Sequence, residues 1–140
     1  MPVNVEWLIP DKIILVKTTG NMNLEVMRVG GEIIHEMLDA SSANRVHVMG
    51  DETEVTGVEA NALKITRTVT WLRHSRLGYT VSFGSINPLM KVVTNVGSSI
   101  AGMRYRRVDS MDEALMFLAE ADPELPPVDD IRQRLLQTMT

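Results

Sequence analysis

Near the amino end, Val3, Val5 and Trp7 alternate with Asn4 and Glu6, the two-residue period of a strand with one face in solvent. Pro10-Asp11 is a turn signal, and the run Lys12 to Thr18 (KIILVKT) predicts a second, more buried strand folding back as a hairpin. Gly20-Asn21 closes it. From about Asn23 to Ala40 the period changes: Leu24, Met27, Ile34 and Leu38 fall at spacings of 3, 7 and 4, the stripe of an amphipathic helix. Gly30-Gly31 inside that stripe costs about 1 kcal/mol per glycine relative to alanine, so the pair either admits a close neighbour or breaks the helix.

Arg45 to Gly50 (RVHVMG) is a short apolar run between polar loops and predicts a third strand. Val58, Ala62, Ile65, Val69 and Leu72, spaced 4, 3, 4 and 3, predict a helix from about Val58 to Arg73. Tyr79 to Phe83 reads as a fourth strand. Asn87-Pro88 then supplies a cap and a proline at the first helical position, with Leu89, Val92, Val93, Val96 and Ile100 facing inward and Gly102 as the stop. Arg104 to Val108 predicts a fifth strand, and Ser110-Met-Asp-Glu113 is a capping box opening a helix to about Asp122. The expected fold is α/β, a mixed and mostly parallel five-stranded sheet flanked by helices, with the first strand antiparallel at an edge. Residues 1–122 form the domain; residues 123–140 are a Pro-rich linker and a short helix with Ile131, Leu135 and Leu136 on one side.

Charge changes this picture by pointing to docking. Residues 61–108 hold eight Lys or Arg and no Asp or Glu, while the flanking segments are acidic; the three stretches carry −6, +8 and −6. A basic region beside acidic ones steers partners of complementary charge. The net charge of −4 argues against a general nucleic-acid binder. The absence of cysteine excludes disulfides and thiolate chemistry. The apolar runs are too short for a membrane span, and Val3 to Ile9 does not read as a signal peptide, so a cytoplasmic protein is expected.

Candidate chemistry is sparse. Arg104, Arg106 and Arg107 on the fifth strand are the best candidates for a docking surface, Arg104 and Arg106 on one face and Arg107 with Tyr105 on the other. Ser85 and Asn87, between the fourth strand and a helix start, are placed to hold an anionic ligand. Asp51, Glu52, Glu54 and Glu59 match no ion-binding loop. Glu32, His35 and Glu36 share one exposed helical turn, a poor cage, so no metal and no cofactor is expected. His47, between two valines, reads as a satisfied structural histidine. The serines lack the glycine pattern of a nucleophile elbow, and no catalytic residue is assigned. The ten methionines read mainly as core filler, with an apolar ligand pocket as the alternative.

His47-Val-Met-Gly50 runs into Asp51-Glu-Thr-Glu-Val55-Thr-Gly-Val58-Glu59-Ala-Asn-Ala-Leu63. This segment resembles the Asp-Leu-Ser-x-Val-x-x-Ile-Asp-Ser-Ser-Gly-Leu pattern of STAS domains, the fold of anti-sigma-factor antagonists and of sulfate-transporter C-terminal domains. Asp51, Val55, Val58, Glu59 and Leu63 match in register. The ending Ser110-x-Asp-Glu-Ala-Leu115-x-Phe-Leu118 resembles that of SpoIIAA-like proteins, and the likeness covers roughly residues 10–121. It implies a non-catalytic regulatory or protein-binding module, with Asp51, Thr53, Thr56, Glu59 and Ala60 in the loop where the family docks its partners. The antagonists' phosphoacceptor serine falls on Ala60, which has no hydroxyl to modify. The expected partner is another protein or a second copy of the chain; the alternative is an apolar or anionic small molecule.

Overall fold

The hairpin at the start of the chain turns on Asp11, which adopts a left-handed φ of 61° that aspartate tolerates, and is closed by the Lys12 amide donating to the Ile9 carbonyl at 3.0 Å. The computed structural model describes residues 2–59, 64, 67–68, 70–84 and 104–138. Its strands β1 (Val3–Ile9), β2 (Ile13–Asn23), β3 (Val46–Glu59), β4 (Leu77–Gly84) and β5 (Tyr105–Val108) lie side by side in chain order. β1 is antiparallel to β2 and forms one edge; the other pairings are parallel and end at β5. Helix α1 (Leu24–Ala40) covers one face, and α2 (Met111–Ala121) and α3 (Val128–Thr138) cover the other. The expected mixed, mostly parallel sheet is therefore present. The expected helix from Asn87 to Gly102 lies outside the described residues, as does most of 60–69.

Two cores result. Ile14, Val46 and Val48 pack with Ile34 and Leu38 of α1, while Leu15, Met49, Val81 and Phe83 pack with Leu115 and Leu118 of α2 and Ile131 and Leu135 of α3. β3 feeds both in turn: Val48 and Met49 point to opposite faces and are at most 1% exposed. A strand buried on both faces has to be continuously apolar, which is the RVHVMG signature. Leu136, expected to face inward beside Leu135, is 51% exposed, because Ile131 and Leu135 are one helical repeat apart and the next residue rotates off that face. In α1 the buried stripe is Val26, Gly30, Ile34 and Leu38, with Leu24 and Met27 half-buried beside it. Gly30 and Gly31 do not break the helix. A Cβ on Gly30 would stand 3.1 Å from Val3, and one on Gly31 would stand 3.2 Å from the Trp71 ring, so the pair admits two large side chains.

The main correction concerns residues 51–59. They are strand, not a loop leading into a helix at Val58: β3 continues to Glu59, pairing with β2 as far as Asn23. The pairing steps from Lys17–Asp51 to Thr19–Glu54, and from Gly20–Val55 to Asn21–Gly57. Each step spends one extra residue on β3, so the strand carries two bulges. A bulge resets the alternation of side chains, and the resulting spacings of 4 and 3 between Asp51, Val55 and Val58 mimic a helical or irregular pattern. Beyond Glu52 the sheet narrows to β2 and β3, because β4 ends opposite it at Gly84. That glycine has a φ of 118°, and a Cβ there would meet the Thr53 backbone at 2.5 Å.

His47 is the structural histidine expected. It is fully buried, its Nδ1 accepts the Tyr79 amide at 2.9 Å, and its Nε2 lies 2.8 Å from an Asp122 carboxylate oxygen. Acceptance at Nδ1 leaves the proton on Nε2, which donates to Asp122. Asp122 is the C-cap of α2, so this bond ties the end of a helix to the middle of the sheet. The ring stacks on Tyr79 at 5.8 Å. Burial holds the His47 pKa below its ordinary value, with Asp122 opposing, while the bond from His47 lowers that of Asp122.

Both shifts make the fold acid-sensitive. A depressed histidine contributes stability above its unfolded value of about 6.5, and that contribution is lost as the pH falls below it. In urea denaturation between pH 7.5 and pH 5, the wild type should lose stability more steeply than His47→Gln. At pH 7.5 the variant should be less stable by about 1–3 kcal/mol, because the Tyr79 amide loses its acceptor.

Candidate functional site

The parity of β3, β4 and β5 places Glu52, Thr80, Ser82, Tyr105 and Arg107 on the α1 face of the sheet. Glu52 and Arg107, with side chains 11% and 12% exposed, form an ion pair across β4. The Tyr105 hydroxyl lies 3.2 Å from that of Ser82, within the same buried group. Burial pushes the Glu52 carboxyl above the usual carboxylate range, and the Arg107 guanidinium opposes that rise. The Tyr105 phenol is likewise raised by burial, with the Glu52 charge adding to it.

This polar group borders a cavity of about 110 Å³ under α1. Its walls are mostly apolar, from Val16, Val26, Ile34, Val48 and Trp71, and the Thr80 hydroxyl, 2% exposed, has no hydrogen-bond partner among the described residues. The space is smaller than the roughly 150 Å³ of an engineered cavity that takes benzene. It admits a small apolar group or the end of a longer one.

On the opposite face, a second cavity of about 340 Å³ lies at the carboxyl ends of the parallel strands. Lys17, Asp51, Thr53 and Ser110 line its polar part and Leu15, Phe83 and Leu135 its floor. Asp51 is buried, and one of its carboxylate oxygens accepts both the Thr53 amide (3.0 Å) and the Thr53 hydroxyl (2.7 Å). Lys17 pairs instead with Glu54 at 3.2 Å.

The residues singled out for docking are thus separated. Arg104 and Arg106 are exposed at the β5 edge, as alternation required. Arg104 donates to the Leu77 carbonyl at 3.0 Å, and the Arg106 guanidinium sits 5.3 Å from the centre of the Phe117 ring. Arg107 faces inward to Glu52. Arg76, one of the cations counted in the basic region, caps α1 by donating to the carbonyls of Leu38 (3.2 Å), Asp39 (3.0 Å) and Ser41. Thr53, Thr56 and Glu59 are exposed on the β3 extension, and the Glu59 carboxylate accepts from the Asn21 side-chain Nδ2 at 2.7 Å. Ala60, Ser85 and Asn87 lie outside the described residues.

Sequence reasoning missed Glu52 as the partner of Arg107. Even spacing from Val48 and Gly50 carried the signal, since these three share a face; taking residues 51–59 for a loop hid it. Asp122 as the partner of His47 left no such trace, because nothing local links residues 75 apart.

No protein-family model and no curated protein matches this sequence. Solved structures do match in fold. An uncharacterised DUF3478-family protein with a SpoIIAA-like fold from Shewanella loihica PV-4 aligns with a TM-score of 0.57 at 15% identity, over 83% of this chain and 91% of that one. The anti-sigma factor antagonist SpoIIAA in its unphosphorylated form aligns at 0.53 with 9% identity, over 86% of this chain and 99% of that one. The phosphorylated form of SpoIIAA from Bacillus, described as a cell fate determinant, aligns at 0.51 with 10% identity, over 83% and 98%. The chain therefore has the SpoIIAA-like fold that was expected.

Removing one member of a buried ion pair strands the other. Glu52→Gln should destabilise the fold by about 3 kcal/mol or more in urea denaturation. Adding Arg107→Gln to it should cost less than the sum of the two single changes, because neither charge is then left alone. Additive losses would show that the pair is not coupled.

Proposed function

We propose that this chain is a non-catalytic regulatory module that works by binding another protein or a second copy of itself. The observation that carries this reading is the β5 edge, the last strand among the described residues, where Arg104 and Arg106 are exposed together at the end of a SpoIIAA-like sheet. An acidic partner meets two guanidinium groups there, one already placed over an aromatic ring. Thr53, Thr56 and Glu59 on the β3 extension form the second contact, and the buried Asp51 holds Thr53 in place beneath them. On the motif resemblance Ala60 takes the place of the antagonists' phosphoacceptor serine, and control then comes from partner or ligand abundance. The module acts in the cytoplasm.

A second reading, a carrier or sensor of a small apolar or anionic molecule, is favoured by the cavity under α1 and its buried Thr80 hydroxyl. An anionic ligand would be held instead by Ser85 and Asn87, the alternative to an apolar one in that cavity.

The pair Arg104→Glu and Arg106→Glu should weaken association with an acidic partner at least about tenfold, mainly through a slower on-rate, with an unchanged circular dichroism spectrum. Unchanged affinity would move the contact elsewhere. A rise in Tm with fatty acids or phosphorylated metabolites, unaffected by the two substitutions, would instead support the second reading.

A further inference from the structure

His35 and Asp39 are one helical repeat apart near the end of α1 and share a face; the His35 Nδ1 lies 3.1 Å from one Asp39 carboxylate oxygen. The other carboxylate oxygen lies 2.7 Å from Nε2 of His74, which follows the short 3-10 turn Thr70–Arg73. The two imidazole rings stand edge to face at 5.1 Å, and one ligand atom from each of the three residues lies within 4.8 Å of the others. We propose that His35, Asp39 and His74 form a divalent transition-metal site, distinct from the docking edge and from the cavity under α1.

Packing around the three donors holds them together without a metal. Leu72 is buried and Trp71 lies against Gly31 of α1, which fixes the turn that carries His74. Arg76 then fastens the same turn to the last carbonyls of α1. His35 and Asp39 are exposed on their outer side, with side chains 51% and 60% accessible, whereas His74 is only 11% accessible. A cation here has three protein donors and an open side toward solvent.

Two imidazoles with one carboxylate suit zinc, cobalt(II) or nickel(II); calcium and magnesium prefer sites made wholly of oxygen. In the metal-free protein the His74 Nδ1 accepts the Arg76 amide at 3.1 Å, so the proton sits on Nε2 and donates to Asp39. With a metal on Nε2 that proton moves to Nδ1, and the contact with the Arg76 amide ends. The Arg76 amide therefore reports on occupancy. Bound metal would fasten α1 to the 3-10 turn Thr70–Arg73, two segments that both border the apolar cavity.

The test is titration of the untagged full chain with cobalt(II), read by visible absorption and followed by displacement with zinc. The expected result is one cobalt per chain, no competition from calcium, and a shift of the Arg76 amide resonance on addition. Losing a ligand should cost more than the 10–100-fold typical of outer-shell changes, so His74→Ala and His35→Ala should each weaken binding by more than about tenfold. His35 is exposed, so its variant carries the test if His74→Ala disturbs the turn. Absence of stoichiometric binding to the wild type, or affinity unchanged in both variants, would overturn the site.

Discussion

A strand segment buried on both faces has no side on which to leave a polar group unanswered; β3 is such a strand from Val46 to Glu52, where Asp51 is answered locally by Thr53 while His47 and Glu52 are not. Each of these two residues therefore has to find a partner through the sheet, and the partners organise the rest of the domain. His47 reaches the C-cap of α2 at Asp122, fixing the helical layer on one face. Glu52 reaches Arg107 across β4, fixing β5 and the cavity on the other. The apolar positions between them, Val48 and Met49, drive the two cores; the two polar positions set where the outer elements lock.

This arrangement explains what was legible in the sequence. The apolar period gave α1, whose Asn23 cap was not read, and the capping box at Ser110 gave α2, with Ser110 accepting the Glu113 amide. These signals are local, confined to one turn of chain. The alternation in β1 and the apolar run of β2 likewise placed the hairpin. The β3 extension was not legible because two bulges broke the alternation on which a strand is recognised. The pairs His47–Asp122 and Glu52–Arg107 span 75 and 55 residues, and only the packed fold brings them together. His74 meets Asp39 in the same way, across 35 residues.

The charge pattern needs a similar division. The basic middle of the chain is contiguous in sequence but not in space: Arg107 turns into the core and Arg76 caps a helix, while Arg104 and Arg106 remain outside. Structural demands take part of the positive charge before any partner sees it. What remains at the β5 edge is small, but an edge strand is where a sheet offers both side chains and backbone to another molecule. The fold itself is shared with an anti-sigma factor antagonist at 9% identity, a level at which a common backbone is informative and a common partner is not.

The central claim is that the module acts by docking to a polypeptide. The most direct measurement is native mass spectrometry of the untagged protein, isolated at natural abundance from its own cells. The account predicts a bound polypeptide or twice the mass of the chain. A monomer, bare or carrying only a small molecule, would contradict it.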